Sequence, residues 1–183
     1  MKRMFFLVFA LVLMSWGQAS ADYVFSLTGT AGGLTYDLTG TLASTALSDG
    51  TSIITGGSLY STGTAYNNST FTVLLLQPGN TVQFQSVGGG DVIGYDNVLA
   101  PGSNPILPAA DYGMVLSNGS SYIGLSSFGT NDYAVYDHNN LGWGWNHLTG
   151  ATATASAVPI PGAILLFGPG LFGLAALRKR LKK

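Results

Sequence analysis

Short runs of β-branched, aromatic and aliphatic residues alternate with Gly-, Asn- and Asp-rich clusters along residues 22–150. No stretch there sustains a helical apolar period. That pattern predicts many short strands. Expected strands are Tyr23–Leu27, Leu34–Leu42, Ser52–Tyr60, Thr70–Gln77, Thr81–Ser86, Tyr112–Leu116, Ser121–Ser126 and Asp132–Tyr136. Turn chemistry separates them at Asp49-Gly50, Gln77-Pro78-Gly79-Asn80, Gly88-Gly89-Gly90 and Ser117-Asn118-Gly119. Pro78-Gly79-Asn80 predicts a hairpin between Leu76 and Val82, because proline presets φ while Gly and Asn tolerate positive φ. Phe71–Leu76 is apolar on both faces and is expected at the centre of the core. The expected fold class is all-β, a single jelly-roll-like β-sandwich over 22–150. Ala151–Ala157, built of small residues, is expected to be a linker.

The two ends follow different patterns. Lys2 and Arg3, the apolar run Met4–Trp16 and Ala19-Ser20-Ala21 have the three parts of a cleavable signal peptide. Cleavage after Ala21 would remove residues 1–21 and leave Asp22 as the first residue. Val158–Leu177 contains no charge. As a helix it would reach about 30 Å, near the thickness of a bilayer core. Its strictly apolar part, 163–177, reaches about 22 Å and spans only if the flanking prolines sit near the interface. Pro169 removes a backbone donor and should kink that helix. Arg178, Lys179 and Arg180 open a basic cluster that marks the cytoplasmic side, so the body is expected outside the membrane.

Val158-Pro159-Ile160-Pro161-Gly162-Ala163, the aromatic-glycine span after it and the Arg178-Lys179-Arg180 cluster together resemble a PEP-CTERM sorting tail. The likeness is to its V-P-L-P-A variant and covers the tail, residues 158–183. It implies an exported envelope protein of a Gram-negative bacterium, with an exosortase as processing partner and often an extracellular polysaccharide nearby. Val158, Pro159, Ile160 and Pro161 would form the processing motif, and Arg178–Arg180 the basic stop. Two positions depart from the pattern: Ile160 stands where the name-giving motif has Glu, and Pro169 where a small residue is more usual.

Charge narrows the body further. All seven Lys and Arg residues lie in the termini, and all eight acids are Asp within the body. With neutral histidines, residues 22–157 carry 0 − 8 = −8. Phosphate neutralisation needs Lys and Arg, so nucleic-acid binding is excluded for the body. The chain has no cysteine, which removes disulfides, thiol chemistry and cysteine zinc sites.

Candidate chemistry in the body is sparse. His138 and His147 are the two histidines, and no Gly-x-Ser-x-Gly elbow accompanies them, so the chain reads as no enzyme. Asp91, Asp96, Asp132 and Asp137 are the oxygen donors that a structural calcium ion would use, although no EF-hand spacing is present. No other cofactor is expected. Trp143 and Trp145 stand two apart, so on a strand both rings would face one side and offer a platform to a polysaccharide. The expected role is structural or adhesive in the cell surface or exopolysaccharide layer; the alternative is a carbohydrate-binding module.

Overall fold

The computed structural model describes residues 20–88, 90–108 and 112–158. Among them run twelve strands: β1 (Ser20–Ala31), β2 (Leu34–Ala46), β3 (Ser52–Ser61), β4 (Ser69–Val73), β5 (Gln83–Gly88) and β6 (Asp91–Tyr95), then β7 (Val98–Leu99), β8 (Met114–Ser117), β9 (Tyr122–Gly129), β10 (Asp132–Tyr136), β11 (Trp145–His147) and β12 (Thr149–Ala157). A single helical turn, α1 (His138–Leu141), follows β10. The described residues are all-β apart from that turn, with antiparallel pairing throughout these strands.

The main sheet runs β11-β10-β9-β8-β4-β3-β2-β1-β12, with β7 against the far half of β3. Neighbours are mostly consecutive in the chain. The connectivity is therefore a meander and differs from the expected jelly roll, in which distant strands pair. Short turns such as Gly32-Gly33, both at positive φ, favour the local pairing of β1 with β2.

Period-2 alternation decides which face is inside. Phe25 and Leu27 of β1, Tyr36, Leu38 and Leu42 of β2, Leu59 of β3 and Phe71 of β4 are buried, and the residues between them face outward. The same inner core takes Met114 and Leu116, Ile123 and Leu125, and Tyr133 and Val135 from β8, β9 and β10. These last three strands are buried on their outer face too. There the β5–β6 hairpin lays Val87, Ile93 and Tyr95 over Val115 and Tyr136, forming a second core.

One segment joins the two edges of the sheet. β11 pairs with β10, and the Leu148 N–H donates to the Tyr133 carbonyl at 2.8 Å. The next residue starts β12, which pairs with β1 as far as Tyr23↔Ala157. The chain changes partners between 148 and 149, so this one segment closes the sheet between β10 and β1. Gly29 makes room at the crossing, where a Cβ would lie 2.8 Å from Leu148 Cβ. The pairing of β1 with β12 shifts register there as well.

This closure corrects the linker expected at 151–157. Ala-Thr-Ala-Thr-Ala-Ser alternates small apolar with hydroxyl side chains, which is a strand pattern. Ala151, Ala153 and Ala155 face the core, while Ser26–Thr154 and Thr28–Thr152 hydroxyl pairs (2.8 and 3.0 Å) tie the outer face. A second correction concerns the 77–80 turn. The Asn80 N–H donates to the Gln77 carbonyl, with Gly79 at φ 87°, as in a type II turn. It does not join a hairpin, because β4 is occupied by β3 and β8 while β5 pairs with β6. Phe71 and Val73 do enter the core, but Leu75 faces solvent beyond the end of β4.

Candidate functional site

Both ends of the body meet at one corner of the sheet. Val158, the last described residue, donates its N–H to the Asp22 carbonyl at 2.7 Å. Ala21, at the expected leader cleavage site, pairs with Ser44, and Ser20 with Thr45. Cleavage after Ala21 would therefore trim two residues from the start of β1 and leave the pairing of β1 with β12 intact. Ala19, Pro159, Ile160, Pro161, the 163–177 span, Arg178, Lys179 and Arg180 lie outside the described residues. Among those described, no helix is long and apolar enough to cross a membrane.

The two tryptophans take different surroundings. Gly142 and Gly144, both at positive φ, break the extended geometry, and β11 begins only at Trp145. Trp143 is 66% exposed and sets its ring edge-on to His138 (5.4 Å between centroids). Trp145 sits edge-on to Tyr136 (5.9 Å) and to Phe128 (6.0 Å). Gly124 gives it space, since a Cβ there would lie 3.0 Å from the indole edge. The rings thus share no aromatic neighbour.

Around Trp145 the outer faces of β9, β10 and β11 gather a cluster that neither tryptophan announces. Phe128 also stacks at a tilt on His147 (5.2 Å), and His147 Nδ1 lies 2.6 Å from Asp132 Oδ1. A carboxylate can only accept, so Nδ1 carries the proton there. The signal in the sequence was faint: Phe128 and Asp132 straddle a turn, and His147 lies fifteen residues beyond Asp132.

A buried carboxylate organises the opposite face of β10. Asp137 is fully buried and accepts the Tyr36 hydroxyl at 2.7 Å and the Tyr66 hydroxyl at 2.8 Å. It also caps α1, accepting from the Asn140 N–H (3.3 Å) and Asn140 side-chain amide (2.9 Å). With no Lys or Arg in the body, phenols do the work that a cation does elsewhere. The four aspartates considered for calcium have separate surroundings. Asp132 holds His147, Asp137 holds the tyrosines, and Asp96 accepts the Val98 N–H while burial pushes its carboxyl above the usual range. Asp91 lies on the hairpin at β6. Among the described residues no three His, Cys, Asp or Glu side chains converge on a metal position. No protein-family model, no curated protein and no solved structure matches the chain.

Burial, reinforced by the Asp137 carboxylate, raises the Tyr36 and Tyr66 hydroxyls far above the ordinary tyrosine range. The sign follows by linkage. The fold keeps both phenols protonated, whereas the unfolded chain ionises them near pH ~10. Their contribution is fully present below that pH and is lost as pH rises above it, at up to about 1.4 kcal/mol per pH unit from Tyr36. The urea midpoint should hold between pH 8 and 9 and fall steeply between 10 and 11. Tyr36→Phe should flatten that fall, and an equally steep fall in the variant would remove Tyr36 from the account.

Proposed function

We propose that the chain is an exported envelope protein, a single all-β domain delivered by a PEP-CTERM-like tail to a structural or adhesive role at the cell surface. The observation that carries the reading is the order of parts in residues 158–183: a Val-Pro-x-Pro motif, an apolar span and a basic stop. The basic stop halts export, the span holds the chain in the inner membrane, and Val158–Pro161 is offered outside to an exosortase. The chain is then a substrate and performs no catalysis itself. The body's architecture is compatible with this route. Its first and last strands leave the domain side by side, so leader and tail can address one membrane without stretching the fold.

The motif follows β12 in the chain with no spacer, since β12 ends at Ala157 and Val158 comes next. Cleavage upstream of Ala157 would cut a paired strand, so processing belongs at or beyond Val158. Exchanging Pro159 and Pro161 for Ala tests the role of the motif in the native host. The variant should accumulate in the membrane fraction with its tail attached, while the unaltered protein is processed. Identical processing of both would contradict the sorting role of the motif.

A further inference from the structure

We propose that the corner formed by Phe128, Asp132 and His147 binds a neutral pyranose unit of a polysaccharide. The inference goes beyond the sorting reading, because it concerns the body alone and is indifferent to how the tail is processed.

Three observations converge on that ligand class. The first is an exposed, braced ring. Phe128 is 38% exposed, and its ring is braced by contacts with Trp145 and His147 at 6.0 and 5.2 Å. A ring already fixed by its neighbours loses little rotamer freedom on binding. Its exposed part offers an apolar surface to the C–H side of a sugar ring. The second is the polar pair beside it. Asp132 Oδ1 and His147 Nδ1 are committed to each other at 2.6 Å, and both side chains are exposed (42% and 59%). That leaves Asp132 Oδ2 and, on a neutral ring, His147 Nε2 as two acceptors next to the aromatic surface. Adjacent sugar hydroxyls are donors that match such a pair.

The third is charge. The site carries a carboxylate in a body of eight aspartates with no Lys or Arg. Uronate, sulfate or phosphate groups would meet like charge and no Lys or Arg to offset it. The complement is an uncharged polymer. Trp143 plays no part in this corner, since its ring contact is with His138.

The test is a set of binding isotherms for the full-length chain in nonionic detergent. The probes are immobilised hydroxyethyl cellulose, dextran and galactomannan, with polygalacturonate as the anionic comparison. Saturable binding to at least one neutral polymer is expected, with none to polygalacturonate. Phe128→Ala and Asp132→Asn should each weaken it tenfold or more, and Trp143→Ala should leave it unchanged. Unchanged thermal unfolding of Asp132→Asn keeps the test decisive if Phe128→Ala disturbs the fold. Absence of binding to all three neutral polymers overturns the proposal. So does equal binding to polygalacturonate, or a loss with Trp143→Ala that Phe128→Ala does not reproduce.

Discussion

Ending the chain after Gly150 is expected to abolish cooperative unfolding of the domain, whereas ending it after Val158 should leave the domain folded. The two chains, both starting at Asp22, differ by residues 151–158, which contain all but the start of β12. Without that strand, β1 loses its partner from Thr28 to Tyr23, and Phe25 and Leu27 lose the cover of Ala153 and Ala155. Each of those two side chains is at most 1% exposed in the closed sheet. Uncovering a buried side chain of this size costs about 1.5–3 kcal/mol. Lost pairing, loss of Ala151 and an open sheet edge add to that. Stabilities of single domains are only about 5–15 kcal/mol, so the sum is enough to lose the native state. Urea titrations followed by tryptophan emission should give a sharp transition for 22–158 and a shallow drift for 22–150. Equal midpoints would mean that 151–157 is dispensable, as a linker would be.

Asp137→Ala is expected to destabilise the domain by about 3–5 kcal/mol, because it strands two hydroxyl donors, each at a cost of about 1–3 kcal/mol when buried, and removes a helix cap. The substitution strands the Tyr36 hydroxyl inside the core, removes the Tyr66 partner and uncaps α1. A lost cap alone accounts for about 1 kcal/mol. Asp137→Asn keeps one acceptor oxygen and should cost clearly less. The network hypothesis also makes a compensating prediction. In the triple variant with Asp137→Leu, Tyr36→Phe and Tyr66→Phe, no polar group is stranded, so part of the loss should return. Denaturant midpoints at pH 7 measure all three. A triple variant less stable than Asp137→Ala would show that packing volume, and not hydrogen bonding, governs the site.

All eight strands expected from the pattern overlap observed ones, and Asp132–Tyr136 coincides with β10. What escaped the pattern has physical causes. β7 is only two residues long, and β6 follows a glycine run and contains a glycine itself, so hydrophobic period carries little information there. β12 was hidden by size: alanines carry a strand's alternation without looking like a core. The closing of the sheet could not be read at all, because it depends on one segment serving two distant partners, β10 and β1. The same holds for the polar centre. Tyr36 and Tyr66 meet Asp137 across 101 and 71 residues, and no local motif marks such a meeting. Trp143 and Trp145 were visible as a pair, but the positive φ of Gly144 sits between them and the alternation rule fails there.

The intact mass of the protein recovered from its native cell envelope and culture fluid tests the sorting reading most directly. The expected species begins at Asp22 and ends at or beyond Val158 but no later than Pro161, alone or with a covalent addition at that end. β12 should be complete in every such species. A chain that still ends in Arg178–Lys183 in both fractions would make the tail a permanent anchor and contradict processing by an exosortase.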